Sequence, residues 1–161
     1  MKKLILTVLT LALVAIAPAA FAGTASGTLT VQASVAANCT ISSTATLDFG
    51  AYDPVTANAV SPKDGTAAMT VACTKGFVPT IGIPPAGRTM TGGGDTLNYE
   101  LYQNPGRSTV WGDGTGGTTL FTPPSAPGKG GTAYTIYGRI PGGQDVGVAS
   151  YSGTILVTVN F

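Results

Sequence analysis

The side chains able to carry chemistry are few. The chain has no histidine, one glutamate (Glu100), six aspartates (Asp48, Asp53, Asp64, Asp95, Asp113 and Asp145) and two cysteines (Cys39 and Cys73). General acid–base catalysis needs a positioned proton carrier, and glycoside hydrolysis a pair of facing carboxylates. Most of the aspartates stand beside turn residues, where a carboxylate commonly caps its own backbone. An enzyme is therefore not expected. Gly128-Lys129-Gly130 lacks the P-loop spacing and the Ser or Thr that follows it, so it offers no phosphate cradle. Asp113-Gly114-Thr115-Gly116-Gly117 has too few oxygen ligands for calcium and reads as a flexible loop. No cofactor and no metal are expected.

The two cysteines have a structural reading. Met1-Lys2-Lys3 is basic, residues 4–16 are apolar, and Ala20-Phe21-Ala22 fits a small-x-small cleavage site, so residues 1–22 are read as a signal peptide and Gly23 as the mature N-terminus. Export favours joining Cys39 to Cys73, and two thiols without histidine are too few for a metal site. Closing that loop should contribute roughly 3 to 4 kcal/mol. Asn38-Cys39-Thr40 fits a glycosylation sequon but is read as chance, given the oxidised cysteine and a bacterial type of leader.

Removing 22 of the 161 residues leaves 139, one domain with a real core. Six basic residues then face seven acidic ones, without a basic patch, so nucleic acid is excluded as a partner. Short runs of apolar alternation recur: 66–73 with Met69, Val71 and Cys73; 80–83 with Ile81 and Ile83; 97–102 with Leu97, Tyr99 and Leu101; then 134–140 and 154–161. Gly and Pro clusters separate them. The pattern predicts an all-β sandwich with no helix in the mature chain. Trp111 follows both cysteines, so it is not the tryptophan of a standard immunoglobulin disulfide; core and loop positions are both open to it. Tyr151 reads either as a corner anchored by its hydroxyl or as a packed ring.

The first strand is unusual. In GTLTVQASVAAN, residues 27–38, Leu29, Val31, Ala33 and Val35 alternate with polar residues, and residues 28–49 contain neither Gly nor Pro with which to turn back. Residues 24–37, extended, reach about 46 Å at about 3.3 Å each, against a radius of gyration of about 14 Å for a domain of this size. At the other end the sequence stops inside a strand-like run, Thr154-Ile155-Leu156-Val157-Thr158-Val159-Asn160-Phe161. If nothing covers the outer edge of that run, it borders an apolar slot, which either the first strand of a second molecule or a long crossover within the chain can fill.

These residues resemble the spore coat protein U domain family, which includes pilins of archaic chaperone–usher pili. The resemblance is carried, in order, by Asn38-Cys39-Thr40-Ile41, Leu47-Asp48-Phe49-Gly50-Ala51-Tyr52-Asp53-Pro54, Val71-Ala72-Cys73-Thr74-Lys75-Gly76, Leu97-Asn98-Tyr99-Glu100-Leu101-Tyr102, Val110-Trp111-Gly112, Tyr137-Gly138-Arg139-Ile140-Pro141 and Val157-Thr158-Val159-Asn160-Phe161. It departs at 149–154, where Ala149-Ser150-Tyr151-Ser152-Gly153-Thr154 stands for Gly-x-Tyr-x-Asp-Thr. The resemblance implies an incomplete immunoglobulin-like β-sandwich lacking its last strand, completed by donor-strand exchange. It divides the chain into a signal peptide (1–22), a donor strand (23–37) and the incomplete domain (38–161). Leu29, Val31, Ala33 and Val35 would be the plugs; Ile155, Val157, Val159 and Phe161 would line the acceptor groove, the inward parity being open by one residue. The implied partners are identical or related subunits, a periplasmic chaperone and an outer-membrane usher. The implied location is a pilus on the cell surface, reached through the periplasm, with roles in attachment and biofilm formation. The rival reading is a secreted spore-coat or cell-surface sandwich that binds through its loops and does not polymerise in this way.

Overall fold

The computed structural model describes residues 22–41 and 45–161. Of the expected signal peptide, residues 1–22, all but Ala22 lies outside the described residues. The chain divides into two units, Met1–Ser34 and Val35–Phe161. In the first, residues 22–34 are exposed throughout and belong to no strand; Leu29 and Val31 are 87% and 83% exposed. The alternation read as an opening strand is thus present without a ladder to join.

Among the described residues of the second unit all regular structure is β, in eight strands in order: β1 (Cys39–Ile41), β2 (Lys63–Cys73), β3 (Thr80–Gly82), β4 (Thr89–Gly92), β5 (Asp95–Asn98), β6 (Glu100–Tyr102), β7 (Thr132–Ile140) and β8 (Thr158–Asn160). One sheet has the order β1-β2-β7-β6, a second pairs β3 with β8, and β4 and β5 form a hairpin. All these pairings are antiparallel. The long β2–β7 ladder runs from Lys63↔Ile140 to Val71↔Thr132. Period-2 alternation puts Met69, Val71 and Cys73 of β2, with Tyr134, Ile136 and Ile140 of β7, on its buried face. At the β4–β5 turn, Gly93 and Gly94 take φ of 62° and 94°, the left-handed pair that a two-residue hairpin matching strand twist requires.

The core lies between the sheets, where Met69, Val71, Leu101 and Ile136 meet Ile81 and Ile83, with Val157 and Val159 packed against them. Trp111 is fully buried there, and its indole N–H donates to the Ile81 carbonyl at 3.0 Å. That places it in the core rather than on a loop. Two expected runs come out differently. Residues 97–102 are split at Tyr99: Asp95–Asn98 pairs with β4, a pairing that the Tyr99 N–H extends by donating to the Arg88 carbonyl at 3.0 Å, while Glu100–Tyr102 pairs with β7, so Leu97 and Leu101 serve different sheets. Of residues 154–161, only Thr158–Asn160 is in a ladder, opposite Thr80–Gly82.

Candidate functional site

Between these elements lies an apolar cavity of about 420 Å³. One wall is Ala45, Leu47 and Phe49; the other is Thr154, Ile155 and Val157; Ala67 and Met69 of β2, Leu101 of β6 and Ile136 of β7 form the floor. Neither wall belongs to a strand among the described residues. Both are pinned at their ends. The first wall follows β1, which the Cys39–Cys73 disulfide fastens to β2 where the two cysteines face each other in register. The second is strung between the Thr91↔Ser152 bridge and the β8–β3 ladder. The walls run in opposite directions, since β1 lies beside β8 while Phe49 clusters with Tyr151. A strand laid between them would run parallel to one and antiparallel to the other.

The groove is electrically bland. Among the described residues Tyr99 is the one lining side chain that titrates, and burial pushes its hydroxyl pKa up. The surface can bury apolar side chains and offer main-chain hydrogen bonds. Among the described residues no group of three or more His, Cys, Asp or Glu is placed to hold a metal ion. The loop at Asp113 caps itself, its carboxylate accepting the Thr115 hydroxyl at 2.6 Å and the Thr115 N–H at 2.9 Å, which holds its pKa down. Tyr151 donates to the Gly147 carbonyl at 2.9 Å, forming an anchored corner.

Of the residues expected to line an acceptor groove, Ile155 and Val157 line this cavity. Val159 faces Ile81 in the β8–β3 ladder and packs on the core, and Phe161 is exposed. The partial burial of Ile155, Val157 and Val159 against exposed neighbours agrees with the odd-numbered parity. Leu29, Val31, Ala33 and Val35 are exposed. The opposite wall was not anticipated, although Leu47-x-Phe49 carries a short alternation that points to it. A second cavity of about 700 Å³, between residues 47–55 and 146–151, shares Leu47, Phe49 and Met90 with the groove.

The family model described as Spore Coat Protein U domain matches residues 25–158. Protein U of Myxococcus xanthus is 33% identical over 168 aligned residues, which cover 92% of this chain and 91% of that protein. A solved structure, the CsuC–CsuE chaperone–tip adhesion subunit pre-assembly complex from archaic chaperone-usher Csu pili of Acinetobacter baumannii, matches with a TM-score of 0.47 and 18% identity over 79% of this chain. The chain spans 40% of the length of the chain it matches there.

Proposed function

Because the chain belongs to the Spore Coat Protein U domain family, we propose that it is a structural subunit of an extracellular chaperone–usher pilus, polymerising head to tail by donating residues 23–37 to the groove of the next copy. The observation that carries this reading is the groove itself: apolar, uncharged, and bounded by two stretches outside any ladder. A β-strand with alternate apolar side chains is the occupant such a surface fits. Leu29, Val31, Ala33 and Val35 supply that alternation within the same chain.

Burying Leu29, Val31 and Val35 would contribute about 1.5 to 3 kcal/mol each, and each new main-chain hydrogen bond about 0.5 to 1.5 kcal/mol net. Ordering the segment opposes this. A periplasmic chaperone would shield the groove before assembly, an outer-membrane usher would be the exchange point, and attachment and biofilm formation the roles of the fibre. The family's description favours a second reading, a coat or surface sandwich that does not exchange strands.

Electrophoresis of unboiled and boiled protein separates the two. The parent should give a ladder of multimers that collapses on boiling. Val31→Asp, which would bury a charge in the groove, should abolish the ladder while the disulfide and the Trp111 environment persist. A parent that runs only as monomer, or a Val31→Asp chain that polymerises normally, rejects donor-strand assembly.

A further inference from the structure

Gly65 of β2 and Gly138 of β7 stand opposite each other in the central ladder. Neither has a positive φ, so the fold uses their missing side chains rather than their backbone freedom. A Cβ at Gly138 would lie 2.7 Å from Phe49 Cζ and 2.8 Å from Leu47 Cδ1. One at Gly65 would lie 2.9 Å from Phe49 Cδ1 and 3.2 Å from Leu47 Cδ2. The two bare positions therefore form a recess in the sheet that receives the tips of Leu47 and Phe49. Those two side chains, with Met90, line both cavities and so stand as the partition between them.

We propose that the Gly65–Gly138 pair is the positioning element of the groove: by sinking Leu47 and Phe49 into the sheet it sets the height of the partition, and hence the groove's depth and the place where an inserted strand must stop. This rests on the strand-accepting reading above. A methyl group at either glycine has no room beneath Leu47 and Phe49, because close-packed interiors do not absorb added carbon atoms without displacement. The displaced side chains must move away from the sheet, towards the two cavities they border, one of which is the space the donor would occupy. The end of the groove beside Phe49 would become too shallow for a branched side chain, while the end beside Val157, remote from the glycines, would keep its depth.

The test uses the full chain with Gly138→Ala, Gly138→Ala/Leu47→Ala and Val31→Asp, reading multimer formation on unboiled gels and folding by Trp111 fluorescence. Gly138→Ala should fold and assemble on the order of tenfold more slowly than the parent. Adding Leu47→Ala should recover a good part of the lost rate, because it removes one of the two side chains the new methyl displaces and gives the other, Phe49, room to shift. Assembly of Gly138→Ala at the parent's rate overturns the proposal, as does a slow rate that Leu47→Ala leaves unchanged. Should Gly138→Ala not fold, Gly65→Ala is read in the same way, and failure of Leu47→Ala to restore folding or assembly again overturns it. The donor reading fails separately, by normal assembly of Val31→Asp; loss of assembly there with none in Gly138→Ala removes the glycine role alone.

Discussion

Arg88, 5% exposed, donates to the carbonyls of Ile83 and Pro84 at 3.1 Å each, to those of Leu101 and Trp111, and to the Glu100 carboxylate. Its chemistry is structural: one fork of donors joins carbonyls from three segments, at 83–84, Leu101 and Trp111. Burial pulls its pKa below the usual value. Arg88→Met keeps most of the volume but removes every one of these bonds and the ion pair with Glu100, and should destabilise the chain by about 3 kcal/mol. Urea unfolding checks it, and a loss under about 1 kcal/mol would mean that the network is dispensable. Asp53 makes a pH-dependent prediction. Its carboxylate accepts the Thr56 hydroxyl and the N–H groups of Val55 and Thr56 at 2.9 and 3.0 Å, holding its pKa at about 2, below the ordinary 3.8. The unfolded chain thus takes up the proton first, so this stabilisation is complete well above pH 3.8 and fades as pH falls towards 2. The stability gap between parent and Asp53→Asn should be constant above about pH 5 and narrow through that window. A gap independent of pH down to 2 contradicts the assignment. These residues were only half legible in sequence. Aspartate beside turn residues is a local signal, and Asp53 and Asp113 obey it; Arg88 gave none, because its acceptors are 4 to 23 positions away.

At the level of elements, the groove's first wall depends on a strand of three residues. β1 alone is too short to hold, and the disulfide at Cys39↔Cys73 fastens it. With the cysteines separated by 34 positions, reduction should lower stability by roughly 3 to 4 kcal/mol. Oxidised and reduced protein unfolded in urea would show this, and coincident midpoints would contradict it. The second wall needs close backbone approach at its start, where a Cβ on Gly153 would run into the Thr89 carbonyl. The glycine at this position makes the passage workable. Strands with one buried face, such as β2 and β7, were legible because burial writes a period of two into the residues themselves. The division of 97–102 was not: Leu97, Tyr99 and Leu101 alternate without interruption, and only the change of partner, from β4 before Tyr99 to β7 after it, shows that two sheets share the run. Alternation records which side chains are buried, not which neighbour provides the hydrogen bonds.

For the whole molecule, a contact in which a segment of one copy enters a groove of the next is heterologous and does not close, so it builds a fibre. In the proposed fibre, opening that contact would expose the groove again, and the assembled state is expected to be kinetically persistent. In an unassembled population the groove is apolar surface open to solvent, and apolar dyes bind such surface. Val31→Asp protein should therefore bind an apolar fluorescent dye strongly while assembled parent binds it weakly; equal binding by both would argue against an empty groove in the unassembled chain. By itself the sequence determined the all-β class, the pairing of the cysteines, and the inward residues of β2 and β7, since each is a matter of composition or of spacing along one strand. Only the tertiary structure decided that Trp111 lies in the core, that the groove's opposite wall is Leu47 and Phe49, and that two glycines 73 positions apart, Gly65 and Gly138, meet beneath them. A groove is a relation between segments distant in the chain, and a residue's type records its burial without naming the surface that buries it.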